Sequence, residues 1–258
     1  MTRIIQTAWN LKRIGDDMKY VMNYGGGVNS TAMLFVLMND KAPLDEVIFA
    51  DTGAEMPQTY DMVAKIQEVA KANGILFTTV KSQYGNIYDY YFKVKTVPSR
   101  LRRDCTSKFK IQPIRNYLRT KYGKQETFMH YIGIAHDERH RVRLSDVKYA
   151  TNAYPLVDKG IDRTKCIQIN SDSGFHDVVK SGCWICPFTR KQGWLDLADK
   201  YPELLDKAIQ LEENCPNKKT QLSHKPLSWF KKSDKQKCMV DFDIDEAPTC
   251  NGTGGCFL

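Results

Sequence analysis

Residues 24–33, YGGGVNSTAM, set three glycines between a short apolar run and a small polar cluster. The run before them, Tyr20-Val21-Met22, has strand character, and Thr31 to Met38 can wind as a helix. A strand, a glycine turn and a helix start together make an anion site. Glycine permits positive φ and close approach, and the N–H groups of a first helical turn point at whatever lies in front of them. A plain strand-to-helix turn has the same local pattern. No Gly-Lys-Ser/Thr follows, so this is not a Walker A loop.

Outward from the loop, strand-like and helix-like segments alternate. Asp45 to Ala50 is an apolar run that ends in Asp51-Thr52-Gly53, a second strand with a polar tip. Thr59 to Asn73 carries Met62, Val63, Ile66, Val69 and Ala70 at helical spacing before Gly74 stops it. Ile75–Val80 reads as a third strand and Phe128–Gly133 as a fourth. Strands separated by helices predict an α/β fold with a doubly wound, mainly parallel sheet, its ligands at the carboxyl ends of the strands. Beyond Tyr154-Pro155 cysteines, tryptophans and short helical pieces take over, with Trp194–Gln210 the clearest helix. We therefore divide the chain into a nucleotide-binding core, 1–155, and a smaller cysteine-bearing region, 156–258.

Composition narrows the classes. The 258 residues suffice for one large α/β domain or a domain with a small appendage. No apolar run approaches the roughly 20 residues of a membrane span, and the first 20 residues lack a secretory signal, so a cytoplasmic protein with no membrane contact is expected. A net charge of +8 suits an anionic ligand or nucleic acid, and also plain solubility. Eight cysteines in such a chain point to metal ligation or sulfur chemistry, not to a disulfide framework.

Several motifs together resemble a known family. Gly25-Gly-Gly-Val-Asn-Ser30-Thr31 resembles the PP-loop of ATP pyrophosphatases, with Gly25 where serine is usual and Asn29 where aspartate is usual. FADTGAEMPQTY (Phe49–Tyr60), DCTSKFKIQPI (Asp104–Ile114), IGIAHDERHR (Ile132–Arg141), YPL (Tyr154–Leu156) and SGCWICPF (Ser181–Phe188) resemble segments of phosphoadenosine phosphosulfate reductases, in that family's order. The resemblance implies an adenine nucleotide alpha-hydrolase-like fold that binds ATP with magnesium, or an adenylyl sulfate-type nucleotide. Gly25, Gly26, Gly27, Asn29, Ser30 and Thr31 would form the phosphate loop, with Asp51, Thr52, Gly133 and Arg139 completing the nucleotide site. Asp51 would meet the ribose or magnesium, or simply cap the next helix. Lys108, Lys110, Arg139 and Arg141 supply the cations a polyphosphate needs, and Asp51, Lys110 and Arg141 are the expected catalytic groups. The reductases' tail motif, Glu-Cys-Gly-x-His, is missing. Cys250 and Cys256 lie in a glycine-rich tail instead, and Cys256 is the tail candidate for attack on sulfur.

Cys183-Trp-Ile-Cys186 is a CxxC pair, suited to metal, cluster or redox exchange. By the resemblance, Cys105 sits where cluster-bearing reductases have a ligand, and Cys166 would complete four. Four thiolates satisfy a [4Fe–4S] cluster or a tetrahedral zinc site, and the resemblance to cluster-bearing relatives favours iron. Cys215 and Cys238 have no partner spacing. Three readings follow. The first is an ATP-dependent enzyme that adenylates an oxygen of tRNA or DNA so that sulfur, brought by a donor protein, displaces AMP. The second is a sulfonucleotide reductase, and the third a non-catalytic nucleotide sensor or partner subunit.

Overall fold

The computed structural model describes residues 18–217 and 221–231. The four strands expected from the sequence form as β1 (Met18–Tyr24), β2 (Glu46–Asp51), β3 (Leu76–Lys81) and β4 (Thr127–Ile132). A fifth, β5 (Ala150–Ala153), is short and carries no apolar run to betray it. All pair in parallel in the order β3-β2-β1-β4-β5. The chain runs outward from β1 to β3 on one side, then returns to lay β4 on β1's other side. That reversal leaves a crevice at the carboxyl ends of β1 and β4, where doubly wound sheets bind ligands.

Alternation along the buried strands explains why helices cover both faces. Tyr20, Met22 and Tyr24 of β1, with Val47 and Phe49 of β2, join one core with α1 (Val28–Asn39) and α2 (Pro57–Ala72). Val21, Ile48, Ala50 and Phe128 point the other way, against Ile114 and Leu118. Those two belong to α5 (Gln112–Tyr122), which follows α3 (Ile87–Lys93), a short α4 (Asp104–Thr106) and a π-helical turn, Ser107–Ile111. Such turns are rare and often mark functional positions. At the amino end of β2, away from the crevice, Glu46 is fully buried. Burial pushes its carboxyl up, but hydrogen bonds from Thr78, Tyr117, Lys121 and Tyr122 outweigh that and leave it below the usual range.

After β5 come α6 (Pro155–Asp158) and α7 (Arg163–Asp172). Helix α7 packs on α1, so the first core continues past residue 155 through Cys166, Ile169 and Phe175. The helix expected over 194–210 is two helices, α8 (Lys191–Lys200) and α9 (Pro202–Glu213), followed by α10 (Ser228–Lys231). Pro202 cannot continue α8, and Tyr201 before it leaves the helical region at φ −142°, ψ 62°. These three helices pack with α3 around Trp194, Tyr91 and Phe109 in a separate apolar cluster. Among the described residues no helix is long and apolar enough to cross a membrane.

Candidate functional site

The glycine loop begins where β1 ends. Gly26 adopts φ +73°, a conformation that side chains resist, and a Cβ there would lie 2.6 Å from Thr59 Cγ2. At Gly27 a Cβ would come within 2.7 Å of Ser181 Oγ, and at Gly133, just past β4, within 2.9 Å of Ser30 Cα. Three motifs far apart in sequence thus converge on this loop, each at a contact that only glycine permits. The Ser30 hydroxyl accepts from Gly27 N–H at 3.2 Å and donates to Gly27 O at 3.0 Å, which closes the start of α1. Thr31 is fully buried and its hydroxyl lies 3.1 Å from the Tyr24 hydroxyl. Its role in the loop is therefore to anchor α1, and phosphate oxygens are left to the backbone N–H groups and Ser30.

Asn29 donates from Nδ2 to Glu138 Oε2 at 2.9 Å and accepts at Oδ1 from Arg163 at 3.3 Å. Glu138 also pairs with Arg141. The amide that stands where aspartate is usual is thus held between a carboxylate and a guanidinium. An aspartate would repel Glu138. Arg139, exposed, approaches His136 Nε2 at 3.4 Å.

At the end of β2, Asp51 Oδ1 accepts from Gly53 N–H and from the Tyr60 hydroxyl, both at 2.8 Å, and Oδ2 lies 3.8 Å from Lys81 Nζ. Burial, with Asp51 beside it, pushes the Tyr60 hydroxyl up and keeps it a donor. Asp51 is therefore aimed, with its charge retained at the strand tip.

The thiol turn lies alongside. Residues 182–184 run antiparallel to 54–56, with Met56 N–H donating to Gly182 O at 2.9 Å and Trp184 N–H to Ala54 O at 3.0 Å. Cys183 Sγ sits 3.2 Å from Thr52 Oγ1 and 3.4 Å from Glu55 Oε1, which Lys110 Nζ approaches at 3.1 Å. Burial and Glu55 push the Cys183 thiol well up, against a weaker downward pull from Lys110 and Thr52. Glu55 is itself buried, and its Oε2 has no hydrogen-bond partner among the described residues. Cys186 follows in the same turn, its N–H bonded to Cys183 O at 3.0 Å. Cys105 and Cys183 both flank the second apolar cluster. Lys108, in the π-helical turn, reaches the Tyr90 hydroxyl at 2.6 Å and Asp104 at 3.3 Å.

Cys166 is placed differently. It lies fully buried in the first core, on α7 against α1, where burial pushes its thiol up to about 12. Among the described residues no three His, Cys, Asp or Glu side chains come together as a metal-holding group. A centre held by Cys105, Cys166, Cys183 and Cys186 together does not fit this arrangement. Cys238, Cys250 and Cys256 lie outside the described residues.

Several residues here were not singled out from the sequence. Glu55 and Tyr60 stand inside the FADTGAEMPQTY stretch, Glu138 inside IGIAHDERHR and Ser181 beside the CxxC pair, so the motifs signalled them. Arg163 carried no such signal, because only the folded chain brings α7 to Asn29.

Residues 19–167 match the family model of the phosphoadenosine phosphosulfate reductase domain. Uncharacterized protein MJ0973 of Methanocaldococcus jannaschii is 29% identical over 207 residues, 74% of this chain and 47% of that protein. An adenosine 5'-phosphosulfate reductase of Geobacillus kaustophilus is 31% identical over 87 residues, 31% of this chain and 35% of that protein. The chain thus spans about half or less of the curated relatives it matches. Among solved structures, the U34-tRNA thiolase NcsA of Methanococcus maripaludis, with its [4Fe-4S] cluster, shares the fold. Its TM-score is 0.50 at 15% identity, over 96% of this chain and 82% of that one. The motif order, the parallel sheet and the model that matches more than half of the sequence agree: the chain belongs to the phosphoadenosine phosphosulfate reductase domain family.

Proposed function

We propose that this protein is an ATP-dependent sulfur-transfer enzyme that acts on nucleic acid. The observation that carries the reading is the thiol turn laid on the nucleotide loops, with Ser181 against Gly27 and Cys183 beside Thr52. Residues 1–155 supply the nucleotide core and the later part supplies the thiols. The backbone of Gly25–Gly27, with Asn29 and Ser30, holds the polyphosphate of ATP, and Asp51 meets its magnesium. Thr52, Gly133 and Arg139 shape and charge the rest of the pocket.

In the first step an oxygen of the acceptor attacks the α-phosphorus of ATP, and the bond to pyrophosphate breaks. Lys110 and Arg141 offset the charge that gathers on the phosphoryl oxygens. In the second step sulfur from a donor protein displaces AMP from the adenylated acceptor. Cys183, with Cys186 and Cys105, is the sulfur-handling end, and Cys166 is a core residue. The relative NcsA carries a [4Fe-4S] cluster, but no step here runs through one.

A sulfonucleotide reductase is the second reading, favoured by the family match over 19–167. It would use a tail thiol such as Cys256 to attack sulfur, in a tail that lacks the reductases' Glu-Cys-Gly-x-His motif. Product analysis separates the two. Incubation with ATP, magnesium, a sulfur donor and nucleic acid should yield AMP and pyrophosphate in equal amounts, with sulfur in the nucleic acid. Sulfite released from an adenylyl sulfate, with ATP untouched, would establish the reductase instead.

A further inference from the structure

The segment that leads into Cys105 is basic and strained. Residues 93–110, KVKTVPSRLRRDCTSKFK, hold seven Lys or Arg against a single Asp. Two of the three non-glycine residues with positive φ among the described ones fall here, Lys95 at 52° and Arg103 at 50°. Lys95 follows α3, where a left-handed residue commonly ends a helix. Arg103 opens α4 instead, a position with no need of one. Strain of this kind persists where the surroundings impose it, and it gathers at ligand sites.

What imposes it is the turn after Cys186. The Arg103 guanidinium lies over the Phe188 ring at 4.9 Å and that of Arg100 at 5.9 Å, and Arg100 Nε also donates to Pro187 O. Arg103 Nε and Nη2 are buried and have no hydrogen-bond partner among the described residues. These two nitrogens form one edge of the guanidinium, the edge that pairs side-on with two oxygens of a phosphate or carboxylate. Asp104, the nearest carboxylate in sequence, is engaged by Lys108 and the Tyr91 hydroxyl.

We infer that Arg103 grips a backbone phosphate of the nucleic acid substrate, and that the loop 94–103 tracks the strand past the thiol turn. Two non-bridging oxygens of one phosphodiester satisfy the Nε/Nη2 edge, and Phe188 holds the fork in plane. Arg100 and Arg102 supply further charge along the strand. Leu101, 93% exposed between them, is the kind of apolar side chain that packs on an unstacked base. This site is separate from the glycine loop, and it rests on the reading that the substrate is nucleic acid.

The test is fluorescence polarisation of the full chain with a short labelled single-stranded RNA of mixed sequence, and with DNA of that sequence, across a salt series. Arg103→Gln should weaken binding about tenfold and flatten the log–log salt slope by about 0.7, one phosphate contact on a single strand. Arg103→Lys should keep the slope and still lose affinity, because lysine keeps the charge but not the fork. Arg103→Gly, which suits the left-handed backbone, should bind as weakly as Arg103→Gln and unfold no earlier than the parent. ATP affinity should be unchanged in all three. If the parent binds neither strand, the nucleic-acid reading and this inference fall together. If the parent binds and the Arg103 variants match it in affinity and slope, the inference alone falls.

Discussion

The glycine loop and the thiol turn touch at Gly27 and Ser181, yet they are built by opposite means. At the loop, backbone does the work. Gly26, Gly27 and Gly133 are defined by what cannot be there, and the polar side chains that matter brace one another, as Asn29 does with Glu138 and Arg163. At the thiol turn, side chains do the work. Cys183, Thr52, Glu55 and Lys110 form a buried polar group whose partners come from three separate stretches. A backbone site tolerates little change of shape and some change of charge. A side-chain site is the reverse. The two ends should therefore fail independently, although they serve one reaction.

The largest effect tests the loop. Gly27→Val puts a branched side chain into the space against Ser181, where phosphate must pass, and should lower ATP affinity by about 1,000-fold or more, roughly 4 kcal/mol. Circular dichroism and the thermal midpoint should remain near the parent's, since Ser181 sits on a turn that can shift. Unchanged calorimetric ATP affinity in folded Gly27→Val would remove the phosphate assignment.

Cys183→Ser should do the converse. Sulfur incorporation into nucleic acid should fall by about 100-fold or more, while ATP affinity stays within about threefold. Parallel losses in both would merge the two ends into one cooperative unit. Asp51→Asn belongs between them. Its carboxylate is aimed by Tyr60 and Gly53, so an amide keeps much of the geometry and loses the charge. ATP cleavage should drop by about 30-fold and binding by less than about threefold, the pattern of a group used mainly in the transition state. Equal losses would make Asp51 a simple anchor.

The smallest effect concerns Cys166. A hydroxyl in that apolar core should cost about 1–3 kcal/mol in denaturant unfolding. Iron and zinc content of anaerobically purified protein should not change. A loss of metal in Cys166→Ser would restore it to the ligand set and overturn its placement as a core residue.

The same contrast explains what the sequence disclosed. Glycine loops and long buried strands leave local signatures, so β1 to β4, the YGGGVNSTAM turn and the motif series were legible. β5 was not, because a four-residue strand at the sheet edge has no periodicity to read. The break at Pro202 was legible in principle, but the apolar spacing on either side of it reads as one continuous helix. Cys166 looked like a fourth ligand because it stands near the CxxC pair in sequence. Helix α7 turns it toward α1, and spacing alone cannot tell a ligand from a buried thiol. Thr31 was read as a phosphate contact for its hydroxyl, which Tyr24 takes up from the other side of β1.

The claim on which everything else depends is that the two ends form one site. Alkylation of individual cysteines, followed by mass spectrometry with and without ATP and magnesium, tests it most directly. Nucleotide seated against Gly27 beneath Ser181 should slow modification of Cys183 severalfold in the parent and leave the rate unchanged in Gly27→Val. The buried Cys166 and Cys215 serve as internal references that nucleotide should not alter. Equal Cys183 rates with and without saturating ATP in the parent would place the nucleotide and the thiol apart, and would contradict the account.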